Sequence, residues 1–214
     1  MYTYVLFDLD GTLTDSQEGI VKSVAYGLEK MGESTEGRLD RHIIVGPPLM
    51  RTFLDVYGFS EAKARQLYAY FQERYSTIGK FENRAFDGIV PMLKRLQERG
   101  IHSFVATSKP QVHAQAICEK FGIAPYVEKI AGPAVGSLDT KADVMRRILR
   151  YIGPQAEGHA VMVGDRKFDV IGARETGVPV ILVGYGYGSE QERRDVPPDF
   201  FAPTVSKLEQ LIVQ

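Results

Sequence analysis

The chain has 214 residues, 44% of them hydrophobic and 25% charged, and its 26 basic side chains against 27 acidic ones leave a net charge of −1. That length can bury a sizeable core and suits one domain or a domain with an insertion. The charge balance and the lack of a long basic run exclude a nucleic-acid footprint, no segment approaches the ~18 apolar residues of a membrane span, and no basic stretch followed by an apolar one marks a secretion signal.

The first element is a short buried strand, Tyr4-Val5-Leu6-Phe7, which runs into Asp8, Asp10 and Gly11. Alternate strand residues share a face, so the two carboxylates lie on one side of the chain, and Gly11 lets the backbone turn close to whatever they hold. Two like charges so placed need a divalent cation, or one keeps its proton beside its ionised neighbour; either suits a nucleophile next to an acid/base. The plain alternative is an edge strand that ends in a solvated Asp-Gly turn.

From Asp15 to about Tyr75 the pattern is helical. Ser16 is the expected N-cap of a helix whose Val21, Val24, Ala25 and Leu28 form an apolar stripe ending at Met31-Gly32. A polar run from Glu33 to Arg41 follows, then Val45-Gly46-Pro47-Pro48-Leu49, a rigid turn that starts a helix over Leu49 to Tyr57, stopped by Gly58. Ser60 caps a further helix, and its stripe of Ala64, Leu67, Tyr68, Phe71 and Tyr75 reads as core.

After Phe86-Asp87-Gly88, helices and strands alternate: helix Ile89 to Arg99, strand Ser103 to Thr107, helix Val112 to Phe121, a short apolar run Val127 to Ala131, helix Lys141 to Tyr151, strand Ala160 to Asp165, helix Asp169 to Thr176 and strand Pro179 to Val183. Cys118, the single cysteine, lies in an apolar-periodic stretch with no matched His; it excludes an intrachain disulfide, fits a reducing cytosol and reads as a packing residue. The alternation predicts an α/β fold, a Rossmann-like, doubly wound parallel sheet covered by helices on both faces. The first strand lacks partners until after the helical block, so residues 1–14 and 85–214 are expected to form the core domain and residues 15–84 an inserted helical cap domain.

In such a sheet ligands gather beyond the carboxyl ends of the strands. There the sequence places Asp8 and Asp10, then Thr107-Ser108-Lys109, then Gly164-Asp165 with Asp169 four residues on, while Lys141 opens the helix between them. Three or four oxygen ligands plus water is the inventory of a Mg²⁺ ion, and a lysine with a hydroxyl completes a phosphate cradle. Singly, Thr107 can pack at a strand end, Lys141 can sit solvated in a first helical turn, and Asp165 and Asp169 can cap a helix.

Together, Asp8-Leu9-Asp10-Gly11-Thr12, the strand-terminal Thr107, Lys141 and Gly164-Asp165-x-x-x-Asp169 match, in order, the four motifs of the haloacid dehalogenase-like hydrolases, mostly Mg²⁺-dependent phosphatases, and the chain resembles that family over its whole length. The resemblance implies Asp8 as nucleophile and Asp10 as general acid/base. It implies Mg²⁺ held by Asp8, the Asp10 main-chain carbonyl, Asp165 and Asp169, with Thr107, Ser108, Gly11 and Lys141 around the phosphoryl group. The family's dehalogenases lack the second aspartate, so Asp10 argues against their chemistry.

A cap between the first and second motifs is similar to that of the subgroup with phosphoglycolate phosphatases, pyrophosphatases, some nucleotidases and sugar phosphomutases. Gly46-Pro47-Pro48-Leu49, Thr107-Ser108-Lys109-Pro110 and Pro198-Asp199-Phe200-Phe201 most resemble phosphoglycolate phosphatase-like members. The third motif departs from them, since Lys141 lies in Asp139-Thr140-Lys141-Ala142-Asp143 and not in a Lys-Pro-x-Pro context. The expectation is a cytoplasmic phosphatase, monomer or homodimer, that acts on a small phosphoester without nucleic-acid or membrane partners. A 5'-nucleotidase, a pyrophosphatase and a phosphomutase are the alternatives within the family, and a non-catalytic binding module is the alternative outside it. Arg51, about one turn into its helix, is expected to reach a second anionic group of the substrate, or else to be a solvated arginine.

Overall fold

Strand β1 (Tyr4–Phe7) is the centre of the molecule, and Val5, Leu6 and Phe7 are all inaccessible to solvent. The computed structural model describes residues 1–214. After β1 come the two-residue strand β2 (Thr14–Asp15), helices α1 (Gln17–Lys30), α2 (Arg41–Ile44), α3 (Leu49–Arg51) and α4 (Glu61–Tyr75), and the two-residue β3 (Arg84–Ala85). Then α5 (Ile89–Glu98), β4 (His102–Ala106), α6 (Gln111–Lys120), β5 (Lys129–Ala131), α7 (Lys141–Ile152), β6 (Ala160–Gly164), α8 (Lys167–Thr176) and β7 (Val180–Val183) alternate, followed by α9 (Glu190–Asp195), β8 (Phe200–Ala202) and α10 (Val205–Val213).

Six strands form one parallel sheet in the order β5-β4-β1-β6-β7-β8. Tyr4 pairs with His102 on one side and Ala160 on the other, so β4 and β6 flank β1 in matching register. The chain order runs outward from β1 in both directions, which makes its carboxyl end the switch point where open α/β sheets bind ligands. The two-residue period of the strands divides the core. Val5, Phe7, Val105, Val161, Val163, Ile181 and Val183 face α5, α6 and α10, while Leu6, Phe104, Ala106, Met162, Val180 and Leu182 face α7 and α8. Burial on both faces is why these strands read as apolar runs and not as alternation.

The helical segment packs a third core of its own, with Ile20, Val24 and Leu28 of α1 against Leu67, Phe71 and Tyr75 of α4. The chain leaves and re-enters the sheet domain through an antiparallel ribbon, Thr14 opposite Ala85 and Asp15 opposite Arg84, where an Arg84–Asp15 ion pair closes at 3.0 Å. No helix is long and apolar enough to cross a membrane.

The alternating parallel architecture is as the sequence predicts, with differences at particular elements. The helix expected over Leu49 to Tyr57 begins as α3 and widens into a π turn at Thr52–Val56, where Tyr57 N reaches back to the Thr52 carbonyl at 3.0 Å; the wider turn sinks Phe53 fully into the third core. Ser16 precedes α1 but its side chain makes no capping bond: the Gly19 amide it would take donates to the Glu82 carbonyl at 3.1 Å, and the Gln17 amide goes to the hydroxyl of Tyr187 at 3.1 Å. Beyond Val183 the structure adds α9, β8 and α10. The last is capped by Thr204 and buries Leu208 and Ile212, a helical spacing too short to stand out without the sheet it packs on.

Candidate active site

Each polar group of the site is delivered by the end of a buried element. Asp8 follows β1 directly; its amide donates to the Val163 carbonyl at 2.8 Å, continuing the β1–β6 ladder, and its Oδ1 accepts the Leu9 amide at 2.7 Å. Lys141 opens α7, whose start is fixed by a capping box between Thr140 and Asp143. Its ammonium lies 2.8 Å from Asp8 Oδ1 and 2.9 Å from Asp169 Oδ1, and donates to the Ala106 carbonyl at 3.1 Å. Asp169, in the first turn of α8, also accepts the amides of Asp165 and Arg166 with Oδ2, at 3.1 and 3.0 Å. It is thus a helix cap and a member of the cluster at once.

Asp8, Asp165 and Asp169 each place a carboxylate oxygen within 4.8 Å of the others, and all three are buried. Burial first, then the charges of Asp169 and Asp8, push the Asp165 carboxyl well above the ordinary carboxylate range. Asp169 is raised by burial and by Asp8, with Lys141 opposing. Burial works against the charged form of Lys141 too, but Asp169 and Asp8 outweigh it and raise its pKa. Three carboxylates therefore meet one ammonium. Asp165 Oδ1 is buried without any hydrogen-bond partner, while its Oδ2 accepts the Tyr187 amide at 2.7 Å. A compact set of hard oxygen donors with surplus negative charge and an orphaned oxygen fits a small divalent cation.

Glycine lets the backbone come this close. Gly11 has φ +82° and a Cβ there would lie 2.2 Å from Asp165 Oδ2; one on Gly164 would lie 2.1 Å from Asp169 Cγ. Thr107, just past β4, is buried, and its hydroxyl accepts the Lys109 amide at 3.2 Å. Ser108 lies beside it at the mouth of a cleft also lined by Asp10, Gln72, Tyr75, Lys109 and His113, with Pro47, Met50, Tyr68 and Phe71 among its apolar walls. Asp10 stands apart from the other three carboxylates: its Oδ2 pairs with Lys109 at 3.0 Å and its Oδ1 is buried and unpartnered. Arg51 is exposed and lines a separate opening with Ser108 and Lys141. The structure thus brings Asp8, Lys141, Asp165 and Asp169 together, places Asp10 and Ser108 on the adjoining cleft, and leaves Arg51 outside it.

Lys109 is the residue the sequence reading passes over. It is fully buried between Asp10 and the hydroxyl of Tyr75; burial disfavours its charge, and Asp10 and then Tyr75 more than restore it. Its only sequence signal is its place at a strand end beside Thr107 and Ser108.

A family model described as haloacid dehalogenase-like hydrolase matches residues 5–183, which hold Asp8, Asp10, Thr107, Lys109, Lys141, Asp165 and Asp169. The chain belongs to that family. Its relatives include a 5'-nucleotidase of Pseudomonas aeruginosa, 42% identical over 99% of this chain and 96% of the relative. A tyrosine-protein kinase PtkA of Mycobacterium tuberculosis is 44% identical over 86% of this chain, which spans 62% of that protein's length. Among solved structures, that of a predicted phosphatase from Clostridium acetobutylicum superposes with a TM-score of 0.93 at 41% identity, covering 100% of this chain and 99% of the other. The chain is accordingly a hydrolase of the haloacid dehalogenase-like family, with that family's α/β fold.

Proposed function

We propose that the protein is a Mg²⁺-dependent phosphatase that hydrolyses a small phosphomonoester through an aspartyl-phosphate on Asp8. The observation that carries this reading is the division of labour between the two aspartates. Asp8 is fixed by Lys141 inside the carboxylate cluster, and Asp10, two residues on, opens onto the cleft. Asp8 attacks phosphorus as the bond to the leaving oxygen breaks, and Asp10 gives that oxygen its proton. Asp10 then takes a proton from the water that cleaves the acyl phosphate, which frees inorganic phosphate and restores Asp8. Thr107, Ser108 and Gly11 surround the phosphoryl oxygens, and Lys141 offsets charge between Asp8 and the phosphate. Asp8, Asp165, Asp169 and the Asp10 main-chain carbonyl would hold Mg²⁺, which when bound screens the phosphate dianion from the carboxylates.

Residues 15–84 act in this reading as a cap domain over the core of residues 1–14 and 85–214, and the cleft between them selects the leaving group. The motifs favour phosphoglycolate and the nucleotidase relative favours a nucleoside monophosphate. The apolar and aromatic walls of the cleft suit the second better, since glycolate has little apolar surface to bury. Arg51 would meet a second anionic group only at the neighbouring opening. Water as acceptor makes the protein a phosphatase; a sugar phosphate as acceptor would make it a phosphomutase. We place the protein in the cytoplasm, as a monomer or homodimer.

The test is phosphate release from a panel of phosphometabolites with Mg²⁺ present. Turnover of at least one, abolished in Asp8→Asn, is expected. Silence across phosphoglycolate, nucleoside monophosphates, pyrophosphate, sugar phosphates and p-nitrophenyl phosphate would sink the reading in favour of a binding module.

A further inference from the structure

Two side chains tie the loop that carries Asp165 to the helical segment, and neither takes part in the chemistry assigned above. Arg166, next to Asp165 in sequence, is buried; its Nη1 donates to the Val45 carbonyl and its Nη2 to the His42 carbonyl at 2.7 Å. Glu192 grips the same guanidinium from the core side, through Nε and Nη2 at 2.9 Å each. The planar fork makes four bonds at once, to two carbonyls and to both oxygens of one carboxylate, where an ammonium has only three donors. Gly46, at φ +112°, lies against the same side chain, for a Cβ there would be 3.1 Å from Arg166 Cγ. The Gly46-Pro47-Pro48 turn that follows is a wall of the cleft.

Tyr187 is the second tie. Its amide donates to Asp165 Oδ2 at 2.7 Å, its carbonyl lies 2.7 Å from His42 Nδ1, and its hydroxyl donates to Asp15 at 2.8 Å while accepting the Gln17 amide at 3.1 Å. One residue thereby touches a carboxylate of the cluster, the helix α2 that leads into the turn over the cleft, and the ribbon through which the chain leaves the core. Its ring is buried in the third core.

We propose that Arg166 and Tyr187 are positioning residues that couple the order of the Asp165 loop to closure of the Gly46–Pro48 turn. Both ties start from groups bonded to Asp165 or adjacent to it. A cation or phosphate that fixes Asp165 therefore also fixes the donors that hold the turn down, and release of the turn loosens the loop in return, as reciprocal coupling requires. The inference rests on residues 15–84 being a cap, not on which substrate is turned over.

The experiment is hydrogen–deuterium exchange read by mass spectrometry on the full chain, alone, with MgCl₂, and with MgCl₂ plus orthovanadate. Without ligand, Arg166→Lys should speed exchange over residues 43–52 about tenfold or more, the worth of one lost bond to a charged donor, while the amides of the central strands keep wild-type rates. Tyr187→Phe should do the same over residues 14–20. His42→Ala removes the imidazole that meets the Tyr187 carbonyl and leaves both Arg166 bonds, which go to main-chain carbonyls, in place; it cuts the second tie from the helical side and should also speed exchange over residues 43–52, which separates an untied turn from a damaged Asp165 loop. Orthovanadate with MgCl₂ should slow residues 43–52 in the wild type and fail to do so in Arg166→Lys, a difference that loss of a passive surface bond would not produce. Wild-type exchange in both Arg166→Lys and His42→Ala, or undiminished slowing by orthovanadate in Arg166→Lys, overturns the proposal. The ligand-free measurements decide the ties whether or not the protein releases phosphate, so failure of the coupling and failure of the phosphatase reading are told apart.

Discussion

Asp8 and Asp10 are two residues apart, yet one pairs with Lys141 and the other with Lys109, so each carboxylate has its own cation and its own surroundings. If Asp8 is the nucleophile and Asp10 the acid/base, Asp8→Asn gives no turnover and no covalent adduct. Asp10→Asn still accepts a phosphoryl group from an activated phosphoester and stalls before hydrolysis. Intact-mass measurement after mixing shows an added phosphoryl group on the Asp10 variant alone; an adduct on the Asp8 variant reverses the roles. His113 offers a test at the cleft wall. Its Nε2 lies 2.8 Å from Gln72 Oε1, and burial, then Lys109 and Lys80, lower its pKa from 6.5 to about 4. The folded protein thus holds fewer protons than the unfolded chain between those values, so this contribution is complete above pH 6.5 and is lost as pH falls toward about 4. Urea midpoints across that range should fall less steeply in His113→Asn than in the wild type, and parallel curves would remove His113 from the account. Asp8, Asp10, Lys141, Asp165 and Asp169 were legible in the sequence because each sits at a fixed offset from an apolar strand or helix start. Lys109, Arg166 and Tyr187 were not, because what defines them is a partner from a distant part of the chain: Tyr75, Val45 and Asp15 respectively.

At the scale of elements, long apolar runs were the legible part. The central strands and α5 to α8 fall within a residue or two of their expected ends, since burial on both faces of the sheet leaves an unbroken apolar signature. What escaped is short or borrowed. The β2–β3 ribbon has two residues per strand, α2 has four, and α1 takes its first amide partner from Tyr187 and not from Ser16. The close approach of α1 to the turn after α4 depends on glycine on both sides, for a Cβ on Gly19 would lie 1.8 Å from the Gly79 carbonyl and one on Gly79 2.4 Å from Ser23 Oγ. Gly19→Ala must push that turn away, at about 1–3 kcal/mol by the usual cost of overpacking. A lowered denaturation midpoint with unchanged exchange in β1, β4 and β6 would place the damage in the helical segment. A midpoint equal to wild type would show that the turn gives way freely.

For the molecule as a whole, the site exists only where three strand ends and two helix starts meet, and its three clustered carboxylates carry more charge than Lys141 neutralises. Removal of divalent cations with EDTA should abolish phosphate release and Mg²⁺ should restore it, with Ca²⁺ a poor substitute because it does not enforce octahedral geometry. Full activity in cation-free buffer would contradict this. The position of β1 has a further consequence, for the life of the nascent chain. This strand is synthesised before either neighbour, yet β4 lies beyond the entire helical segment and β6 beyond that, with Tyr4 finding its partners only at His102 and Ala160. Until the ribosome reaches β4, whose residues lie 98 positions beyond their partners in β1 (His102 against Tyr4), Val5, Leu6 and Phe7 have no ladder to join. The helical segment, with a core of its own, can condense in the meantime. The segment that ends up most deeply enclosed is thus the one left longest without a mate, which makes it a natural handle for a chaperone and the place where a stalled or truncated product will aggregate.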